Sequence, residues 1–171
     1  MRIIHCTQKL LKELDVPIIE TDKTPSDSQG LGNWYANLIR IDRKKCLLFT
    51  NEKTLYSFLI PDIKKANLKN FVNEFLTNLN FNLQYEGFSL DVINKVIQEY
   101  EKIGLAKTAN RKILGTMNKL SFQYEVLIMG KEGLGNVKSL ELNQTINRTF
   151  TRSIQHKYPI EAIKKVLQLL Q

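Results

Sequence analysis

Apolar and polar positions alternate with a period of two through much of the first third of the chain, as in strands with one buried face. The pattern covers 2–6, 34–42, 45–51 and 54–61, and the last three runs are joined by connections of only two residues. Connections this short are typical of hairpins, so these runs predict an antiparallel meander. Pro61 cannot donate a ladder hydrogen bond and ends the last strand.

From residue 62 onward, apolar residues recur at spacings of three and four, which is the period of an α-helix. Stripes of this kind begin near Asn67, after Ser89 and near Ile113. A further stripe begins at Pro159, which suits the first turn of a helix. A shorter helix is predicted over 139–148.

Three shorter segments complete the pattern. Thr7 is a suitable N-cap for a short helix whose leucines share one face. The stretch 20–33 is rich in Pro, Gly, Ser and Asp, which predicts a loop. The tetrapeptide GLGN occurs at 30–33 and again at 133–136. Because the residues after each copy differ, we interpret the copies as two similar turns.

These elements favour an α+β fold in a single domain, residues 1–171, because strands come first and helices afterwards. Residues 1–61 are expected to be mainly strands and residues 62–171 mainly helices. We predict a small antiparallel N-terminal sheet of about four strands, packed by a helical C-terminal portion of about four to five helices. The 43% hydrophobic content is enough for a packed core without disulfides or metals.

The positive charge of the chain is distributed unevenly. The formal net charge is +8, of which residues 1–61 carry +2, residues 62–105 carry −1 and residues 106–171 carry +7. Such an excess permits an acidic partner, whether nucleic acid, an acidic protein or a membrane surface.

Targeting signals are lacking in the sequence. The N-terminal stretch carries charges throughout and lacks the apolar segment and small-residue cleavage site of a signal peptide. No stretch approaches the roughly 20 apolar residues that cross a bilayer. Cys6 and Cys46 lie in apolar runs, as small buried thiols of a reducing compartment do. We therefore expect a cytoplasmic protein without membrane association.

Motifs for metal or covalent chemistry are also lacking. The histidines and cysteines are His5, His156, Cys6 and Cys46, and none stands at metal-ligand or nucleophile spacing. We expect no metal, no cofactor and no enzymatic activity. The alternative is a hydrolase without a recognisable motif, such as a metal-independent nuclease that uses His156 or Tyr158 together with arginines.

Two Asn-Arg pairs raise the question whether they bind a ligand or support the fold. Asn110-Arg111 precedes a predicted helix, which Asn110 can cap, and Asn147-Arg148 lies in a stretch where cations and aromatics mix. Nucleic-acid surfaces use cations for phosphates and flat rings for stacking. The alternative is a solvated helix end whose aromatics pack inward. The predicted nucleic-acid contacts are Arg111, Lys112, Arg148, Arg152 and Lys157, with Phe150 or Tyr158 as the stacking ring.

A second group of polar residues is a candidate ligand site or structural cluster. It consists of Trp34, Asn37, Arg40 and Asn110, of which Asn37 and Asn110 are expected to bond backbone groups. Gly115 lies inside a predicted helix, where glycine costs about 1 kcal/mol relative to alanine. We therefore expect another segment to pack closely against Gly115.

Three segments together resemble a family of uncharacterised bacterial proteins classed as a domain of unknown function. They read IIHCTQKLLKEL, NWYANLIRIDRKKCLLFTNE and KTANRKILGTMNK, and the resemblance spans most of the chain. The family has no established activity, so the resemblance implies no catalytic residue. It implies a bacterial cytoplasmic protein, an accessory or mobile-element product. The matching residues are Trp34, Asn37, Arg40, Lys44 and Asn51 in the hairpin, and Asn110, Arg111, Met117 and Asn118 in the helix.

Charge and missing motifs together predict a non-enzymatic binding protein. Its basic C-terminal surface is expected to contact nucleic acid, with binding that weakens as salt rises. The alternative is a protein-interaction module of a regulatory pair or of an accessory or mobile-element system, whose basic face meets an acidic polypeptide. The sequence leaves the oligomeric state open.

Overall fold

The computed structural model describes residues 1–20, 29–108, 110–149, 151 and 158–171. Within these residues, five strands form one sheet with the spatial order β4-β3-β2-β1-β5. The strands are β1 (Arg2–Cys6), β2 (Trp34–Ile41), β3 (Lys44–Asn51), β4 (Ser57–Ile60) and β5 (Ile103–Lys107).

Seven α-helices surround the sheet in the described part of the chain. The predicted cap at Thr7 is present, and Ser89 caps a helix in the same way: their hydroxyl oxygens accept hydrogen bonds from the backbone N–H groups of Leu10 and Val92. The helices are α1 (Gln8–Leu14), α2 (Lys65–Lys69), α3 (Phe71–Tyr85), α4 (Leu90–Glu99), α5 (Arg111–Gly130), α6 (Ser139–Ile146) and α7 (Pro159–Gln168), and a 3-10 turn covers Leu134–Asn136.

The α+β class is confirmed, but the predicted sheet of about four antiparallel strands is wrong. The meander β2-β3-β4 is antiparallel, whereas β1 is parallel to both of its neighbours, β2 and β5. The sheet is therefore mixed and has five strands. β5 was not predicted because Ile103 continues the apolar spacing of the helix before it, and Gly104 resembles a glycine that ends a helix. A Cβ on Gly104 would lie 2.5 Å from Cδ1 of Ile19, so close packing across β5 explains this glycine.

The helices of the C-terminal portion are also more numerous than predicted. Residues 62–171 hold six α-helices in the described part, α2 to α7, instead of about four to five. The helix predicted from Asn67 is divided into α2 and α3 at Asn70. The short helix predicted over 139–148 is confirmed as α6.

The sheet separates two apolar cores, because successive strand residues point to opposite faces. On one face, Trp34 and Leu38 of β2 pack with α1 to α4 and α7. On the other face, Tyr35 and Ile39 of β2 pack with α5 and α6. Helices therefore cover both faces of the sheet.

The two GLGN segments form similar turns. In each, a glycine with positive φ precedes a buried leucine whose backbone N–H donates to a carboxylate. Leu31 donates to Glu99 over 3.0 Å, and Leu134 donates to Asp42 over 2.9 Å. Each copy of the tetrapeptide therefore holds one carboxylate at the N–H of its leucine.

None of the helices in the described residues has both the length and the apolar character needed to span a bilayer. Within the same residues, no group of three or more His, Cys, Asp and Glu side chains is arranged to hold a metal ion.

Candidate functional site

The second Asn-Arg pair lies where α6 covers the outer edge of β4. The Asn147 side chain accepts a hydrogen bond from the Ser57 backbone N–H over 2.8 Å and donates one to the Ser57 carbonyl over 2.7 Å. One helical turn earlier, Asn143 accepts from the Leu59 N–H over 2.9 Å and donates to the Leu59 carbonyl over 3.4 Å. Each asparagine therefore satisfies both backbone groups of one edge residue.

The spacing of helix and strand makes this arrangement possible. Four residues of an α-helix rise about 6 Å, and two residues of a strand rise about 6.7 Å. Asn143 and Asn147 therefore meet alternate residues of β4 with nearly matched spacing. The two amides replace a neighbouring strand and protect a sheet edge that would otherwise pair with another chain.

Asn143 is held in place by further buried groups. The Tyr124 hydroxyl donates to its side-chain oxygen over 2.8 Å, and its amide donates to Asn82 over 3.0 Å. Burial raises the pKa of Tyr124 well above its usual value, so the phenol stays neutral and keeps donating. This network supports the fold at the edge of the sheet.

Arg148 forms an ion pair with Glu86 at the end of α3. Its two terminal nitrogens donate to the two carboxylate oxygens over 3.1 and 2.7 Å, while the Glu86 side chain is only 1% exposed. The hydrogen bond to Glu86 raises the pKa of Arg148 above its usual value. The guanidinium therefore neutralises an almost fully buried carboxylate. Its predicted companions Arg152 and Lys157, together with Phe150 and His156, lie outside the described residues.

The first Asn-Arg pair stands at the start of α5. The Asn110 side-chain oxygen accepts hydrogen bonds from the backbone N–H groups of Lys112 and Ile113 over 3.0 and 3.2 Å, which confirms the predicted cap. Arg111 and Lys112 are exposed, and neither forms an ion pair within the described part of the chain. The structure thus leaves these two predicted cations open to a ligand.

A polar cluster lies on the sheet beneath this end of α5. The rings of His5 and Tyr35 stack with their centroids 4.8 Å apart, and the Asn110 side chain lies near the Tyr35 hydroxyl. Burial raises the pKa of Tyr35, and the nearby Glu52 carboxylate raises it further. Burial also lowers the pKa of His5, although Glu52 opposes that change. Both rings are therefore kept neutral near neutral pH.

A small cavity adjoins the polar cluster. It has a volume of about 220 Å³, and its polar lining includes Glu52, Asn110, Lys112 and Thr116. The Oε2 atom of Glu52 is buried and has no hydrogen-bond partner among the described residues. This arrangement can hold a small polar group.

The structure does not bring the predicted cluster of Trp34, Asn37, Arg40 and Asn110 together. Trp34 points to the face opposite α5, where its indole N–H donates to the Tyr100 hydroxyl over 2.7 Å. Asn37 is on the α5 face and accepts from the Thr7 hydroxyl over 2.8 Å. Arg40 is exposed near the end of β2. Alternation along β2 separates residues that the sequence places close together.

The outward face of α5 consists of Arg111, Gly115, Asn118, Phe122, Val126 and Met129, of which the three apolar residues were not predicted as a surface. These residues recur at spacings of three and four on the side away from the core. Phe122, Val126 and Met129 are 66%, 53% and 54% exposed. The sequence feature that could have predicted this apolar surface is the recurrence of these residues at helical spacing, beside the buried stripe of the same helix.

The expected close packing against Gly115 is wrong. A Cβ built on Gly115 has no heavy atom within 4 Å among its surroundings. Within the described residues, no contact therefore explains the glycine, whose cost in a helix is about 1 kcal/mol relative to alanine.

A family model places the chain among proteins without an assigned activity. Residues 3–162 match the model described as "Domain of unknown function (DUF6933)", so the chain belongs to that family. The match confirms the resemblance to an uncharacterised domain family. No curated protein and no solved structure matches the chain.

Proposed function

We propose that this member of the family is a non-enzymatic binding protein that contacts nucleic acid through the N-terminal half of α5. The observation that carries the proposal is the pair of exposed cations, Arg111 and Lys112, in the first turn of that helix. The helix macrodipole is positive at this end, so both cations reduce the stability of the free helix. A polyanion would remove that unfavourable interaction.

Other residues on the exposed side of α5 suit the same ligand. Lys119 adds a cation two turns from the start, and Asn118 adds a hydrogen-bonding amide; both are exposed. Phe122 presents an aromatic ring that is 66% exposed. Cations contact phosphates and exposed rings stack on bases, so one helix face offers both kinds of contact.

The side chains, not the backbone, would supply the contacts. Asn110 already occupies the N–H groups of Lys112 and Ile113, which leaves little free backbone for a phosphate. Arg148 is engaged by Glu86 and has a structural role in this proposal. Arg152 and Lys157 stay predicted contacts.

The two cysteines suit a reducing compartment such as the cytoplasm. Cys6 and Cys46 are buried free thiols. Burial raises the pKa of Cys6 to about 12, so its thiolate is scarce near neutral pH. Neither cysteine is therefore proposed as a nucleophile.

The test is fluorescence anisotropy with labelled single-stranded RNA, single-stranded DNA and duplex DNA across a range of salt. We expect binding that weakens steeply with salt, and a slope of log K against log salt that flattens by about one to two units in the Arg111→Glu/Lys112→Glu variant. The control is Lys65→Glu/Lys69→Glu on α2, which makes the same charge change at two exposed lysines. Absence of binding at low salt, or equal losses in the two variants, would contradict the proposal.

A second candidate function is the binding of an acidic polypeptide. The observation that favours it is the exposure of Val126 and Met129 in the C-terminal half of α5. Exposed apolar side chains that recur on one helix face are typical of protein-interaction surfaces. Binding of this kind would depend less on salt than binding to nucleic acid.

A further inference from the structure

A groove between α5 and α6 forms a separate surface on the same side of the sheet. Its volume is about 300 Å³, and the segment that follows the 3-10 turn closes one side. Leu127, Val137 and Leu142 supply its apolar lining, and Lys131, Lys138 and Glu141 supply its charged lining. The groove is distinct from the basic start of α5, so an inference about it does not depend on the nucleic-acid proposal; it rests on the second candidate function, the binding of an acidic polypeptide.

Leu127 is the exposed apolar residue of the groove lining, whereas Leu142 is buried and Val137 is partly buried against the core beneath it. Leu127 is 37% exposed although it lies beside the buried stripe of α5. Gly130, one turn away, has no heavy atom within 4 Å of a Cβ built on it. Val126 and Met129 extend the exposed apolar surface along the helix. An aliphatic or aromatic side chain could therefore enter the groove without displacing a residue of the described chain.

The charges around the groove indicate the chemistry of the partner. Lys131 and Lys138 are exposed on two sides of it, and neither forms an ion pair within the described residues. Glu141 is the one acidic residue of the lining. Two cations beside an apolar floor complement carboxylates that flank an apolar side chain. The aliphatic floor favours a polypeptide over nucleic acid, because it offers no flat ring for a base to stack on.

We propose that the groove binds an acidic polypeptide segment. One bulky apolar side chain of that segment enters between Leu127, Val137 and Leu142. Carboxylates on either side of it contact Lys131 and Lys138. The apolar anchor supplies most of the affinity, and the charge pairs supply specificity and association rate.

The experiment is selection of short random peptides displayed on phage against the full chain, followed by anisotropy titration of the enriched peptides. We expect the enriched sequences to share a bulky apolar residue flanked by Asp or Glu. Binding should weaken by about tenfold or more in Lys131→Glu/Lys138→Glu, and stay within about twofold in the control Lys65→Glu/Lys69→Glu. Leu127→Ala provides a second variant that tests the apolar floor without a charge change.

The outcomes separate this inference from the nucleic-acid proposal. If no acidic peptide is enriched, or if the enriched peptides bind both charge variants equally, the groove is not the site. Competition by RNA that depends on Lys131 and Lys138 would show that the groove binds a different macromolecule and would overturn the inference. Loss of peptide binding in Arg111→Glu/Lys112→Glu with full binding in Lys131→Glu/Lys138→Glu would place the peptide on the start of α5 instead. Unfolding midpoints of all variants show whether each remains folded.

Discussion

The two Asn-Arg pairs share a dipeptide and occupy opposite environments. Asn147 is fully buried and bonds the edge of β4, and Arg148 neutralises the buried Glu86. Asn110 is an exposed helix cap, and Arg111 extends from the start of α5. In the first pair along the chain Asn110 caps the helix and Arg111 is exposed, while both members of the second pair support the fold.

This difference shows that the position of a cation in sequence does not decide its role. Residues 106–171 carry most of the net positive charge. Arg148, however, pairs with the carboxylate of Glu86, which lies 62 residues earlier at the end of α3. A positive stretch predicts a positive surface only where its cations find no internal partner. The proposed binding surface therefore shifts toward α5.

The largest expected effect comes from removing the buried amide. Asn147→Ala leaves the backbone N–H and carbonyl of Ser57 without partners, which should lower the free energy of unfolding by about 3 kcal/mol. Urea denaturation measures this change. The control Asn118→Ala alters an exposed residue of α5 and should change stability by no more than about 0.5 kcal/mol. Equal effects of the two substitutions would mean that the β4 edge does not need α6.

A smaller loss is expected when the buried carboxylate loses its cation. Arg148→Met leaves Glu86 uncompensated and should lower the free energy of unfolding by about 1–2 kcal/mol, since the exposed guanidinium is partly screened by solvent. In the background of Glu86→Gln, the same substitution should cost clearly less. Urea denaturation of the four proteins of this double-mutant cycle gives the coupling energy. A coupling energy near zero would mean that Arg148 does not stabilise Glu86, and Arg148 would then remain a candidate contact for nucleic acid.

The smallest expected effects lie at the exposed pair. Asn110→Ala removes the cap of α5 and should lower the free energy of unfolding by about 1 kcal/mol, whereas Asn110→Asp keeps an acceptor and should preserve it. Arg111→Ala should change stability by no more than about 0.5 kcal/mol while weakening polyanion binding. Thermal unfolding and anisotropy on the same samples measure both properties. A large loss of stability in Arg111→Ala would show that Arg111, like Arg148, supports the fold.

Features that depend on near neighbours were predictable. The meander of β2, β3 and β4 follows from alternation and short connections, and the cap at Asn110 follows from its place before an apolar stripe. Features that depend on distant partners were not. β5 becomes a strand because β1 lies beside it, and its own pattern continues that of the preceding helix.

The candidate site was predictable only in part, for the same reason. The sequence indicated Arg111 and Lys112 as nucleic-acid contacts, which stays a prediction, and the structure shows that both are exposed. It did not indicate that Glu86 pairs with Arg148, or that Trp34 and Asn37 point to opposite faces of the sheet. The apolar outward face of α5 was visible in the spacing of Phe122, Val126 and Met129, but it was masked by the stronger buried stripe.

The sequence by itself determined the α+β class, the hairpins, the helical stripes and the helix caps, because each is set by interactions within a few residues. The tertiary structure alone decided the mixed strand order, the covering of β4 by Asn143 and Asn147, and the pairing of Arg148. Ser57 and Asn147 are 90 positions apart, so their hydrogen bonds exist only once the sheet and α6 have packed together. Burial then makes those bonds necessary, since each backbone group removed from water needs a partner.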